Sequence, residues 1–248
     1  VVGRFSAGDP RSARWLTNHS STLIREIIEE QRELAREKLA QGMREGRNPR
    51  SLVDDLVGIF DRSKQQRVGG IIGLTRQQAE WGATAEAELR DPARWGEYLR
   101  RKRRDKRLDR VLRRAQREGR GLTADEARKL RARYEDRLLA LRGETIARTE
   151  AITALHQGQD AAIRGLVDGG KVNASQVKRV WDATGDSRTR SSHLAMEGQR
   201  VGMDEPFTTP SGARLLYPSD TSLGASASET IQCRCTVRVE IDYFEGLS

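Results

Sequence analysis

From Ser21, the stretch STLIREIIEEQRELAREKLAQGM repeats apolar residues at helical spacing. Ile24, Ile27, Ile28 and Leu34 fall on one stripe, with Glu and Arg elsewhere. Gly42 and Gly46 weaken its end, and GRNP (46–49) breaks it. SLVDDLVGIFDRSKQ (51–65) predicts a second helix with Leu52, Leu56, Ile59 and Phe60 on its apolar face. IIGLTRQQAEWGATAEAEL (71–89) predicts a third, interrupted by Gly73 and Gly82. In DPARWGEYL (91–99), Asp91 is placed to cap a helix and Pro92 to occupy its first position.

The next stretch, RRKRRDKRLDRVLRRAQREGR (100–120), carries a narrow helical stripe of Leu108, Val111, Leu112 and Ala115, ended by GRG (119–121). TADE (123–126) is a capping box, since Thr123 and Glu126 can each satisfy the other's backbone N–H. The helix it opens places Ala127, Leu130, Tyr134, Leu138 and Leu141 on one face and is expected to stop near Gly143. ETIARTEAITALHQGQDAAIRGLV (144–167) is the next predicted helix. Its small residues Ala147, Ala151, Ala154 and Gly158 would let another helix approach closely. DGGK (168–171) closes it.

After Gly170 the pattern changes to short runs, turns and prolines: VKRVWDAT, EPFTT, ARLLYP and CRCTVRVEI. These predict a small, mostly antiparallel sheet with one or two short helices. The fold class is therefore α+β, an extended N-terminal helical region followed by a small C-terminal domain. The change of pattern lies near 170. If the Ala-rich helix packs on the sheet, the division falls at 143, giving a basic helical region over 1–143 and an α+β domain over 144–248.

Charge sharpens this division. The chain of 248 residues has a net charge of +9, but residues 1–143 carry +12 and residues 144–248 carry −3. The stretch 100–120 holds 12 basic and 3 acidic residues. Arg100, Arg101, Lys102, Arg103, Arg104, Lys106, Arg107, Arg110, Arg113, Arg114 and Arg117 are candidates to bind DNA or an acidic partner. The alternative is an ordinary solvated helix face. Few aromatics follow Tyr98, so base stacking is not indicated. Hydrophobic residues make up only 36% and charged residues 33%, which is lean for one globule and fits exposed helices that an assembly covers. No run of 18 apolar residues exists to span a membrane.

Both cysteines lie in ETIQCRCTVRVEI (229–241). Two cysteines do not make a disulfide framework, which points to synthesis in a reducing cytoplasm. Alternation along a strand puts Cys233, Cys235, Val237, Val239 and Ile241 on one side. The plain reading is that both thiols face the core, because free cysteine packs as a small hydrophobe. The sharper reading is zinc held by His193, Cys233 and Cys235, with His156 or Asp220 as a further ligand; His19 lies far away in the chain. In WDATGDSRTRSSHLAMEG (181–198), Asp186 or Ser187 can cap a short helix, and His193 and Glu197 share a helical face. An enzyme would use His193 as a base oriented by a carboxylate. A scaffold would use Asp186, Arg188, Arg190 and His193 to fix the helix to the sheet and the Cys strand. Neither a nucleophile elbow nor a Gly-rich phosphate loop accompanies them, so the scaffold reading leads and neither catalytic residues nor a cofactor are expected.

The ordered set IARTEA (146–151), Trp181, Asp182, Asp186, Arg188, Thr189, Arg190, His193, Gly198, Phe207, YPSD (217–220) and Cys233-Arg234-Cys235 resembles the phage Mu F-like minor head protein family, also called head morphogenesis proteins. The resemblance runs over about residues 143–241. It implies a structural minor capsid component of a tailed phage or phage-like particle, bound at the portal vertex inside the head. It also implies a part in head assembly and in DNA packaging or delivery. Trp181, Asp186, Arg188, Arg190, His193, Cys233 and Cys235 are then structural signature residues. The implied partners are the portal protein, packaged DNA and the major capsid protein, with several copies around the portal and none in a membrane. The implied location is the virion interior, and the host cytoplasm during assembly. Relatives carry a His-Pro pair shortly before Cys-Arg-Cys; here the stretch reads ASETIQCRC, which removes one ligand from a His/Cys metal set. Two other readings remain open: a DNA-binding protein acting through a basic helix over 100–120, and a zinc-dependent hydrolase around His193.

Overall fold

The computed structural model describes residues 29–243. His19 and the stripe residues Ile24, Ile27 and Ile28 lie outside the described residues. Helix α1 (Glu29–Arg44) buries Ala35, Leu39, Ala40 and Met43, whereas Leu34, expected on the apolar stripe, is exposed. Among the described residues the chain forms two compact units, one of 29–35 with 50–144 and the other of 36–49 with 145–243.

The first unit departs from the sequence reading at Gly58. Helix α2 (Val53–Val57) ends there, and strands β1 (Ile59–Asp61) and β2 (Gln66–Val68) follow as an antiparallel hairpin with Ile59 opposite Val68. The predicted helical face of Leu52, Leu56, Ile59 and Phe60 is therefore split, with Leu56 buried and Ile59 in solvent. Gly58 turns the chain with φ of 76°, and a Cβ there would meet the Val68 carbonyl oxygen at 2.3 Å. Arg67 secures the hairpin, donating to Asp136 at 2.7 Å and to Asp54 at 3.1 Å.

Helix α3 (Arg76–Arg90) opens with a capping box of Thr75 and Gln78. Asp91 then caps a single turn with Pro92 at its start, as the sequence predicts, and leads into α4 (Trp95–Arg100). The basic stretch is not one helix. It leaves helical geometry after Arg100, makes a short 3₁₀ turn at Lys106–Leu108, and becomes helical again only in α5 (Asp109–Arg117). Local carboxylates explain the break. Asp105 caps the 3₁₀ turn through the Arg107 N–H, and Arg104 folds back onto Asp109 at 3.0 Å. The core of this unit joins Leu89, Trp95, Tyr98, Leu112, Leu130, Tyr134 and Leu138.

Asp105 is almost fully buried beside Arg107, Arg133 and Arg137. Hydrogen bonding from Arg107 lowers its carboxyl to about 2. A carboxyl lowered on folding stabilises fully above its unfolded value near 3.9 and loses that contribution as pH falls towards 2. Asp105→Asn is expected to cost about 2 kcal/mol at neutral pH. In urea titrations, the gap between wild-type and variant midpoints should close as pH is lowered from 7 to 2.5.

Helix α6 (Ala124–Asp168) opens with the predicted Thr123–Glu126 capping box. It does not stop at Gly143. A Cβ at Gly143 would lie 2.8 Å from Val57 Cγ1 and 3.1 Å from Val53 Cγ1, so this glycine admits a neighbouring helix and does not end its own. The helix closes at Gly170, where Lys171 N–H reaches back to the Leu166 carbonyl.

The second unit is built on the C-terminal part of α6. Strands β3 (Val177–Asp182), β4 (Arg200–Val201) and β7 (Thr236–Ile241) form an antiparallel sheet in the order β4–β3–β7. Strands β5 (Phe207–Thr208) and β6 (Arg214–Leu215) pair separately. Two four-residue helices, α7 (Ser191–Leu194) and α8 (Ala227–Thr230), complete it. The whole is α+β with antiparallel sheets, as the sequence predicts. Trp181, Phe207, Leu215, Tyr217, Cys233, Cys235 and Val237 share one core. Arg179 is buried on the same face of β3 as Trp181. It donates to the carbonyls of Gly202 at 3.1 Å and Leu216 at 2.7 Å, and to that of Glu205.

Candidate functional site

Strand β3 ends at Trp181 and Asp182, and Gly185 (φ 72°) turns the chain into the segment that precedes α7. Asp186 does not cap that helix. Its carboxylate accepts from the Arg188 N–H at 2.9 Å and from both terminal nitrogens of Arg234. The bond from Arg234 holds the Asp186 carboxyl well below the usual carboxylate range. Arg188 is exposed, 3.5 Å from the same carboxylate. Arg190, at the start of α7, donates instead to the carbonyl of Ile231.

His193 is 1% exposed, and its ring meets that of Trp181 edge-on with centroids 5.2 Å apart. Its Nδ1 lies 3.3 Å from Cys233 Sγ and 3.6 Å from Cys235 Sγ. Its Nε2 lies 3.1 Å from Glu229 Oε2. That carboxylate is held in turn by the Ser192 hydroxyl at 2.8 Å. The expected pairing of His193 with Glu197 does not form, because α7 is only one turn long. Glu197 accepts from the Ala183 N–H, and Glu229 takes its place. Glu229 is 36 residues from His193, and helical spacing gives no signal for it.

The cysteines precede β7 and do not lie within it, yet side chains already alternate there. Cys233, Cys235 and Val237 are buried, while Thr236 and Arg238 are exposed. Gln232, in the left-handed region at φ 54°, anchors the Cys segment to α6. Its N–H donates to Thr149 Oγ1 at 2.9 Å, and its side-chain amide donates to Thr145 Oγ1 at 2.7 Å. The Cys235 carbonyl is 3.3 Å from His156 Nε2, and Thr184 Oγ1 donates to the Arg234 carbonyl at 2.8 Å. IARTEA, the Trp181–His193 run and Cys-Arg-Cys, separate in sequence, therefore meet in one cluster.

The hydrogen bond between the two thiols pushes Cys233 up and pulls Cys235 down, with His193 adding to the second effect. Burial lowers His156 to about 4, which keeps it neutral. His156 is not part of the Cys–His cluster, and Asp220 is engaged elsewhere, accepting from the backbone N–H groups of Leu216 and Ser222.

Of the 11 basic candidates, Arg101 is spent on Glu88, Arg104 on Asp109, Arg107 on Asp105 and Arg114 on Glu118. Arg100, Lys102, Arg103, Lys106, Arg110, Arg113 and Arg117 are exposed, and none is ion-paired to a carboxylate among the described residues. No helix among the described residues is long and apolar enough to cross a membrane.

Residues 106–238 match the family described as Phage Mu protein F like protein. The match begins well before residue 143, the expected start of the resemblance, and takes in α5 and the whole of α6. The chain is 30% identical over 121 residues to the NAD(+)–arginine ADP-ribosyltransferase EFV of Enterococcus faecalis, covering 47% of this chain and 20% of that protein. It is 28% identical over 93 residues to the Minor head protein GP7 of Bacillus phage SPP1, covering 37% of this chain and 29% of that protein. The matches thus span less than a third of either relative. No solved structure matches. With more than half of its length covered by one family, and that family's motifs gathered at one buried cluster, the chain belongs to the Phage Mu protein F like family.

Proposed function

We propose that this chain is a minor head protein of a tailed phage or phage-derived particle, acting as an architectural component and not as an enzyme. It sits inside the head at the portal vertex in several copies, binds the portal protein, and contributes to head assembly and to DNA packaging or delivery. The observation that carries this reading is the internal use of the family's residues. Trp181, Asp186, Arg190, His193, Cys233 and Cys235 all engage other parts of the same unit. The cavity beside them, of about 10 Å³, is too small for a substrate. The likeness to Minor head protein GP7 supports the same reading. The partial match to an ADP-ribosyltransferase does not redirect it, because it covers only 20% of that protein.

The seven exposed cations around α5 face outward as a set suited to a phosphate backbone, and packaged DNA is the partner they fit. Two measurements test the proposal. Cross-linking mass spectrometry on purified heads should recover this chain bound to portal protein. Its absence from heads, with free chain in the lysate, would overturn the assignment. DNA binding by the purified chain should weaken with salt. Replacing Arg103, Lys106, Arg110 and Arg113 by Gln should lower the log–log salt slope by about 3.6, at roughly 0.9 for each phosphate that is no longer neutralised. An unchanged slope would remove DNA from the list of partners.

A further inference from the structure

We propose that His193, Cys233 and Cys235 bind a structural zinc ion that clamps α7 to the Cys-Arg-Cys segment. The side chains come from positions 40 residues apart, all three are buried, and their ligand atoms lie within 4.8 Å of one another. The distances fit a shared metal. Zinc bonds of about 2.3 Å to sulfur and 2.0–2.1 Å to nitrogen, at a tetrahedral angle, place a sulfur and a nitrogen about 3.6 Å apart. Here the two sulfurs lie 3.3 and 3.6 Å from His193 Nδ1.

Both sulfurs lie near one ring nitrogen, which has either one lone pair or one proton, so without a metal the second sulfur must rely on the first. A cation at the centre of the three atoms satisfies all of them, and its two positive charges balance two thiolates. Imidazole with two thiolates favours zinc over the hard cations.

The surroundings have the form of a supported metal ligand. A ligating histidine uses its other nitrogen to donate to a carboxylate or carbonyl, which fixes the tautomer. Glu229 Oε2 lies 3.1 Å from Nε2 as a close polar contact without hydrogen-bond alignment, and the Ser192 hydroxyl donates to the same oxygen at 2.8 Å. This leaves Nδ1 free to face the sulfurs. The fourth position opens on the cavity of about 10 Å³ bordered by Thr184, Arg190 and Gln232, which has room for about one water molecule. Three protein ligands and a water are the set of an open zinc site, but a cavity of about 10 Å³ admits no substrate, so the ion's role here is to hold the segments together. The sequence offers too few ligands only if the fourth must be a protein side chain.

Elemental analysis of the full chain, purified without chelator, is expected to find about one zinc per chain. Unfolding it and refolding with cobalt should give a thiolate-to-cobalt absorption band in the near ultraviolet and the strong visible bands of a tetrahedral site. Cys235→Ser should lower the zinc content at least tenfold. If that variant does not fold, wild-type protein supplies the test: its one zinc should stay bound in the folded chain against a weak chelating indicator and be released when urea unfolds it. A folded wild-type chain with less than 0.1 zinc and no cobalt band would overturn the proposal. That outcome would leave the head-protein reading intact, because cross-linking to portal does not depend on a metal.

Discussion

Trp181→Ala is expected to destabilise the C-terminal unit by about 4 kcal/mol, enough to unfold it at moderate urea concentrations. Trp181 is fully buried at the end of β3, with edge-on contacts to Phe207 and His193 at 5.2 Å each. Removing the indole opens a cavity beneath the residues that hold the Cys segment, and the neighbours that could fill it are pinned by the sheet. Trp181→Phe should be far milder, costing about 1 kcal/mol. Trp181 Nε1 is buried without a hydrogen-bond partner, so phenylalanine loses no bond and removes an unsatisfied donor. Hydrogen exchange followed by mass spectrometry should show β3 and β7 losing protection together in the alanine variant and keeping it in the phenylalanine variant. Equal losses in both would mean that the indole nitrogen has a partner of consequence.

The second large effect is expected at Arg179. Its guanidinium reaches three carbonyls on two loops, Gly202 and Glu205 between β4 and β5 and Leu216 after β6, and lies 5.5 Å from the centre of the Phe207 ring. Burial lowers its pKa, yet an arginine stays charged well above neutral pH. Arg179→Lys keeps the charge but replaces a planar fork with one point donor that cannot span Gly202 and Leu216. The expected cost is about 3 kcal/mol, and Arg179→Ala should cost somewhat more because no donor remains for the carbonyls. Urea denaturation gives the size, and exchange over residues 200–217 gives the place. A lysine variant within about 0.5 kcal/mol of wild type would mean that the loops hold without the fork.

What the sequence reveals and what it hides follow from the range of the interactions. The capping residues Asp91 and Thr123 are legible because their partners lie two or three positions away. The inward thiols are legible because strand alternation is local. Gly58 and Gly143 are not. A glycine that ends a helix and one that admits a neighbour look the same in sequence, and only Val68 or Val57 across the gap distinguishes them. The basic stretch misleads for a related reason. Its three acidic residues look negligible as a count, yet Asp105 and Asp109 bend the backbone, and Asp109 turns Arg104 inward. Glu229 is a partner made by folding alone, and Arg179 looks like an ordinary strand cation until two loops close around it.

The placement of Cys233 and Cys235 under the Asp186–Arg234 pair has a practical reach. Maleimide reagents need an exposed thiolate, and the folded chain offers none from its native pair. A single cysteine introduced on the exposed surface, at Lys102 for example, would therefore be the reactive handle, giving a clean site for a fluorophore or gold tag without first stripping out the natural sulfurs.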